Sequence, residues 1–193
     1  THLPWIGDRI RALDGAHIEY FRGIRNPVAV KVGPSMSVDE VVELTERLNP
    51  HNEPGRLTLI HRMGRPKIEQ YLPPMIERLK AMHKRVLWVC DPMHGNTVST
   101  AHGRKTRRFD DICEELRLAF EIHAACGSRL GGAHLELTGE NVTECTGGAA
   151  GLTEADLESA YQTQLDPRLN YEQALEVAFE IAEHLSNDRK RIS

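Results

Sequence analysis

Three apolar runs recur at an even interval in this chain, and that interval restricts the fold more than any other feature. "VAVKVG" starts at Val28, "LTLIHRMG" at Leu57 and "VLWVC" at Val86, 29 residues apart each time. The segments between them carry helical signals. Ser37 can cap "VDEVVELTERL", whose apolar residues recur at three- and four-residue steps. Pro66 fits the first turn of "KIEQYLPPMIERLKAMHK", although Pro73-Pro74 should kink or split that helix. Asp110 or Asp111 can cap "ICEELRLAFEIHAAC", and Gly127 would stop it. Asn170 with Gln173 predicts a capping box for "YEQALEVAFEIAEHL". Further strands are expected in "LPWIGDR" near the start, "AHLELTG" (133–139) and "YQTQLD" (161–166). A regular strand-helix alternation predicts an α/β fold with parallel strands and helical crossovers. Doubly wound sheets and barrels share that pattern, and periodicity does not separate them. No glycine-rich dinucleotide fingerprint and no Walker loop follows any strand, which weakens a nucleotide-binding reading.

The 193 residues are enough for one domain with a sizeable core. The net charge of −4, with basic and acidic residues interleaved, argues against bulk attraction to nucleic acid or an anionic membrane. No apolar run has the length of a membrane span, and no signal peptide opens the chain. Cys90, Cys113, Cys126 and Cys145 lack CxxC pairing and are expected as reduced thiols in a cytoplasm. Thr1 stands almost at the door of a core strand. The expectation is therefore a fragment, or one chain of a nicked pair, with a short edge strand at a true terminus as the alternative.

The ends of the predicted strands carry the chemistry. In order they present Asp8 and Arg9, Lys31, His61 and Arg62, Asp91 and His94, Glu136, then Asp166 with Arg168. Any one of these has a bland reading as a turn or cap residue. Lys31, Arg62 and Glu136, however, lie within apolar runs, where unpaired charge is costly. The list divides in two. Arg9, Lys31 and Arg62 suit a phosphate and a carboxylate, Arg as a planar fork and Lys as a point charge. His94, Glu136 and Asp166 form a nitrogen-oxygen set suited to a divalent ion such as Mn²⁺, Co²⁺ or Zn²⁺. Cys90 qualifies as a fourth ligand by type, but its place four residues before His94, across a turn, speaks for packing. The loop "GRKTRRFD" is either a solvated basic loop or a second phosphate site. Together the sets suggest metal-assisted chemistry on phosphorylated, carboxylate-bearing substrates.

The segments "WIGDR", "GIRNPVAVKVGPSM", "LIHRMG", "WVCDPMHGNT", "KTRRFDDI", "GGAHLELTGENVTEC" and "LDPRLN" resemble the class II (plant-type) 3-deoxy-D-arabino-heptulosonate 7-phosphate (DAHP) synthases. The similarity runs from about Leu3 to the last helix. It implies a (β/α)8 TIM barrel, of which residues 1–193 supply the C-terminal part of one catalytic domain, about the last six βα units. It also implies condensation of phosphoenolpyruvate with erythrose 4-phosphate to DAHP and phosphate, the opening step of the shikimate pathway and aromatic amino acid biosynthesis. By the same resemblance His94, Glu136 and Asp166 are metal ligands, with Mn²⁺ foremost. Arg9, Lys31 and Arg62 match residues that bind phosphoenolpyruvate. Asp8 stands where the family usually has Glu. Lys105 and Arg107 fall on the phosphosugar side. The family's fourth ligand, a Cys on the first strand, and its "KPR" motif have no counterpart here.

Lys31, Arg62 and His94 are thus the expected catalytic residues of a bacterial, cytoplasmic transferase. Its expected partners are the N-terminal part of the barrel or a complementing chain, further copies of itself, and an associated chorismate mutase. Two alternatives accompany this reading: an amino-sugar variant serving secondary metabolism, and a non-catalytic partial barrel that binds ligand or a partner chain.

Overall fold

The 29-residue interval is a strand register. In parallel pairing, Val28 of β2 (Val28–Val32) lies opposite Leu57 of β3 (Leu57–His61), and Thr58 lies opposite Leu87 of β4 (Leu87–Cys90). Successive units repeat without stagger, so equivalent residues leave the sheet at one height and on one face. The computed structural model describes the backbone of residues 2–192 and the side chains of residues 2–186. With β1 (Trp5–Ile6) and β7 (Leu130–Ala133), the sheet has five strands in the order β1-β2-β3-β4-β7, every pair parallel.

Helices α1 (Ala16–Arg22), α2 (Val38–Leu48), α3 (Ile68–Ala81), α4 (Phe109–Ala125) and α5 (Tyr171–Ile192) connect or follow the strands. Val28, Val30, Val32, Leu57 and Leu59 turn toward them and share one apolar cluster with Val41, Leu44, Leu72, Ile76, Ile112 and Leu116. The strand pleat sends Ala29, Lys31, Thr58 and Ile60 to the opposite face. These four are also buried. Among the described residues, no helix is long and apolar enough to cross a membrane.

The cap signals hold at both ends of the chain. Ser37 and Glu40 exchange side-chain and backbone hydrogen bonds at the start of α2, and Asn170 with Gln173 does the same before α5. Three local expectations are corrected. Helix α3 runs unbroken through Pro73 and Pro74. The carbonyls deprived of donors belong to the exposed residues Glu69 and Gln70, where water can replace the missing N–H groups. Pro66 sits in the turn ahead of that helix. Arg108, rather than Asp110 or Asp111, holds the N-cap position of α4, and the two acids occupy its first turn, near the positive end of its dipole.

The other corrections concern strands. "AHLELTG" is not the strand that was expected. The paired segment is "LGGA", three residues earlier, where Gly131 lies so close to β4 that a Cβ would meet Leu87 Cδ1 at 2.3 Å and Trp88 O at 3.2 Å. Beyond His134 the chain loses its neighbour, because β4 gives way to Asp91-Pro92. A lone parallel bridge, Leu137 to Leu169, follows. "YQTQLD" forms no strand either: Glu144 takes the backbone N–H groups of Gln162 and Thr163 that a ladder would need. The basic loop supplies the second strand of an antiparallel hairpin, β5 (Thr97–Ser99) with β6 (Lys105–Arg107). The sheet therefore holds four of the six expected strands, with Leu130–Ala133 as its fifth.

Candidate metal and anion site

The strand ladder continues one hydrogen bond past the formal strand ends. Arg62 N donates to Val32 O at 2.8 Å, Asp91 N to His61 O at 2.8 Å, and His134 N to Cys90 O at 2.7 Å. This sets Arg62, Asp91 and His134 side by side at the C-terminal mouth of the sheet, on the face that Lys31 occupies.

Asp91 is fully buried, and both of its oxygens are engaged. Oδ1 accepts the backbone N–H groups of Met93 (3.0 Å) and His94 (3.1 Å), which fixes the turn after β4. Oδ2 pairs with the Lys31 ammonium and with His94 Nδ1, the latter at 2.7 Å. Burial works to raise the Asp91 carboxyl, but the His94 hydrogen bond and the Lys31 charge outweigh it and hold the group well below the usual carboxylate range. For Lys31, burial dominates and lowers the ammonium from its ordinary value, against the pull of Asp91.

With Nδ1 tied to Asp91, Nε2 of His94 points at two carboxylates: Glu136 Oε1 at 3.2 Å and Asp166 Oδ2 at 3.9 Å. Ligand atoms of His94, Glu136 and Asp166 lie within 4.8 Å of one another, and all three residues are half-buried. Hydrogen bonds to Asp91 and then to Glu136 raise His94 to about 9. Burial alone would raise Glu136; bonds from His94 and Arg107 hold it at about 2.

Arg107, expected on the phosphosugar side, lies directly behind Glu136. It is fully buried, because its guanidinium spans Glu136 Oε2 (2.6 Å), Thr97 Oγ1 (2.9 Å) and the carbonyl of Pro167. It braces a carboxylate from behind. Lys105 is exposed, and its ammonium reaches Asp166 Oδ1 at 3.0 Å. Asp166 itself rides on the loop that Glu144 organises, where Arg168 closes a bidentate pair with Glu144 at 2.7 and 3.0 Å.

On the cationic side, Arg62 donates to Asp8 Oδ2 at 3.0 Å and to the carbonyl of His94 at 3.1 Å, while its Nε is buried without a partner. The other oxygen of Asp8 accepts from Arg11 Nε at 2.8 Å, and Arg11 also reaches Ser35 Oγ at 2.9 Å. Arg9 is exposed and, among the described residues, has no ion-pair partner. Sequence reading chose Arg9 and passed over Arg11, which the short 3-10 turn at Asp8–Ile10 carries round to Asp8.

A second group, His61, Cys90 and Glu115, is buried on the helix side of the sheet. Cys90 thus faces away from the mouth, and burial pushes its thiol well above the ordinary value. The Glu115 carboxylate is already filled by the N–H groups of Met63 and Gly64 and by the Asn96 amide. This cluster packs β3 and β4 against α4.

A profile described as the class-II DAHP synthetase family matches residues 1–182. The chain is similar to phospho-2-dehydro-3-deoxyheptonate aldolase AroG of Mycolicibacterium smegmatis, at 53% identity over 185 residues that cover 96% of this chain and 40% of that protein. A Neurospora crassa protein named phospho-2-dehydro-3-deoxyheptonate aldolase is 51% identical, with 98% and 40% covered. The Streptomyces coelicolor protein of that name is 50% identical, with 94% and 40% covered. The chain thus spans about two fifths of the length of these relatives. Among solved structures, phospho-2-dehydro-3-deoxyheptonate aldolase from Francisella tularensis SCHU S4 shares the fold, with a TM-score of 0.62 at 15% identity, covering 96% of this chain and 55% of that one. The α/β fold with its five parallel strands is accordingly part of a TIM barrel. On this sequence and structural footing, the chain belongs to the class-II DAHP synthetase family.

Proposed function

We propose that this chain is the C-terminal part of a barrel enzyme that condenses phosphoenolpyruvate with erythrose 4-phosphate, giving DAHP and inorganic phosphate. One observation carries the reading: an imidazole and two carboxylates converge within 4.8 Å, next to the Lys31 and Arg62 cations, at the C-terminal ends of parallel strands. That is where barrel enzymes place their chemistry. The names of the relatives support the same reaction.

The residues fit a divalent ion. His94 supplies Nε2 with its orientation fixed from behind, and Glu136 and Asp166 supply oxygen, a donor set that suits Mn²⁺ first and Co²⁺ or Zn²⁺ next. Three protein ligands leave positions open for further ligands, as catalytic sites require. When bound, the ion supplies Lewis acidity toward the aldehyde oxygen. Lys31 and Arg62 hold phosphoenolpyruvate by its carboxylate and phosphate and offset their charge, with Arg9 as a further cation at the rim. In the reaction a carbon–carbon bond forms between the enol carbon and the aldehyde carbon. Water then adds at C2, and phosphate departs. Asp8 keeps Arg62 and Arg11 in place, and Lys105 stands beside Asp166 on the sugar side.

In this reading the remaining ligands and barrel strands come from the N-terminal part of the barrel or from a complementing chain, and residues 1–193 contribute one part of a catalytic domain. A cytoplasmic location is part of this reading. The test separates the two halves of the site. His94→Ala should abolish turnover and weaken Mn²⁺ binding at least about tenfold, whereas Arg62→Ala should raise the phosphoenolpyruvate KM and leave metal content unchanged. Normal turnover of His94→Ala at limiting Mn²⁺ would remove the proposal.

A further inference from the structure

We propose that Asp91 is a positioning residue shared by both halves of the site, one carboxylate that sets metal affinity and anion affinity together. This rests on the functional reading above and deepens it. The observation is the division of labour between its oxygens. Oδ1 faces the backbone and fixes the turn through Met93 N and His94 N. Oδ2 sits between two side chains that belong to different tasks, His94 Nδ1 and Lys31 Nζ. Neither contact is exposed to water, since Asp91 is wholly buried and Lys31 nearly so.

Each contact has a consequence. A hydrogen bond that fixes Nδ1 as the donor leaves Nε2 as the nitrogen that faces Glu136 and Asp166. The same oxygen holds the Lys31 ammonium at the mouth in a setting that would otherwise disfavour a charge there. The two donors also compete for one oxygen. An anion that draws Lys31 toward itself leaves Oδ2 more fully to His94, and the imidazole becomes a stronger ligand. By reciprocity the metal improves anion binding to the same degree. Lys31 and His94 do not touch each other's ligands in this scheme; Asp91 is the link.

Asp91→Asn tests it in the native polypeptide. The amide oxygen can still accept from Met93 N and His94 N, so the turn is kept. Its NH₂ then meets Nδ1–H and the Lys31 ammonium, donor against donor. Calorimetry without substrate should show Mn²⁺ affinity reduced about 10- to 100-fold. Phosphoenolpyruvate affinity of the metal-free protein should fall by roughly threefold or more. In a His94→Ala background the Asp91→Asn change should cost little further Mn²⁺ affinity, and in a Lys31→Met background little further phosphoenolpyruvate affinity. Additive losses in both backgrounds, with a lowered Tm, would mean a merely structural carboxylate and overturn the inference. Lys31→Met provides a second measurement should Asp91→Asn fold poorly: it should tighten Mn²⁺ binding several-fold, and an unchanged Mn²⁺ affinity would also overturn it. A wild-type protein that binds neither Mn²⁺ nor phosphoenolpyruvate sinks the functional reading as well. Wild-type binding with additive losses sinks this inference alone.

Discussion

Glu144 offers nothing to a metal or a substrate, yet it decides where Asp166 stands. Its buried carboxylate accepts from the backbone of Gln162, Thr163 and Arg168 and from the Arg168 guanidinium. Glu144→Gln should release that loop and cost about 1–3 kcal/mol, the scale for leaving buried hydrogen-bonding groups unpaired, because Arg168 is partly exposed. Urea unfolding gives the cost, and amide exchange at Gln162, Thr163 and Arg168 should speed up together. Protection as in the wild type would show that the loop is held by something else. At this scale residue type was readable from sequence but partnership was not. His94, Glu136 and Asp166 stand out as metal-capable residues after apolar runs. Nothing local ties Asp91 to Lys31, which lies 60 residues away, and nothing marks Arg107 as buried rather than solvated.

Among the elements, the contact of β3 and β4 with α4 holds the most telling polar group pair. His61 and His123 are buried with ring centroids 5.7 Å apart, and Trp88 packs against both. Burial holds His61 down at about 3 and His123 at about 4, below their ordinary 6.5. A depressed histidine binds its proton more readily in the unfolded chain. Stability is therefore complete above about pH 6.5 and falls as the pH drops toward 4, by about 1.4 kcal/mol per pH unit for each imidazole. Thermal melts of the wild type and of His123→Leu between pH 7 and 4 should show a shallower slope in the variant; parallel slopes would rule His123 out. Element boundaries were legible where side chains mark them, as in the Ser37 and Asn170 caps. Strand β7 was misplaced because Gly131 and Gly132 carry no side chain to display an alternation. The β5–β6 hairpin has one apolar residue, Val98, and so no apolar period to read.

Across the whole molecule, the zero-stagger repeat brings residues from Asp8 to Asp166 into one mouth. A ligand that binds only the assembled mouth should stabilise the entire fold by mass action. Mn²⁺ at a hundredfold excess over its Kd should add about 2.7 kcal/mol, and a chelator should remove it. In His94→Ala the Mn²⁺ shift should be clearly smaller than in the wild type; an Mn²⁺ shift as large as the wild type's would put the ion elsewhere.

The sheet also bends far enough for its first strand to meet the segment after its last. The ring of Trp5 stands edge-on to His134 at 5.3 Å and is half exposed, whereas Trp88 is sealed in the helix layer. The chain has two tryptophans, so its long-wavelength emission, and its susceptibility to an aqueous quencher such as acrylamide, come chiefly from Trp5. Trp5→Phe should therefore leave only the shielded emission of Trp88, and acrylamide should lose most of its effect.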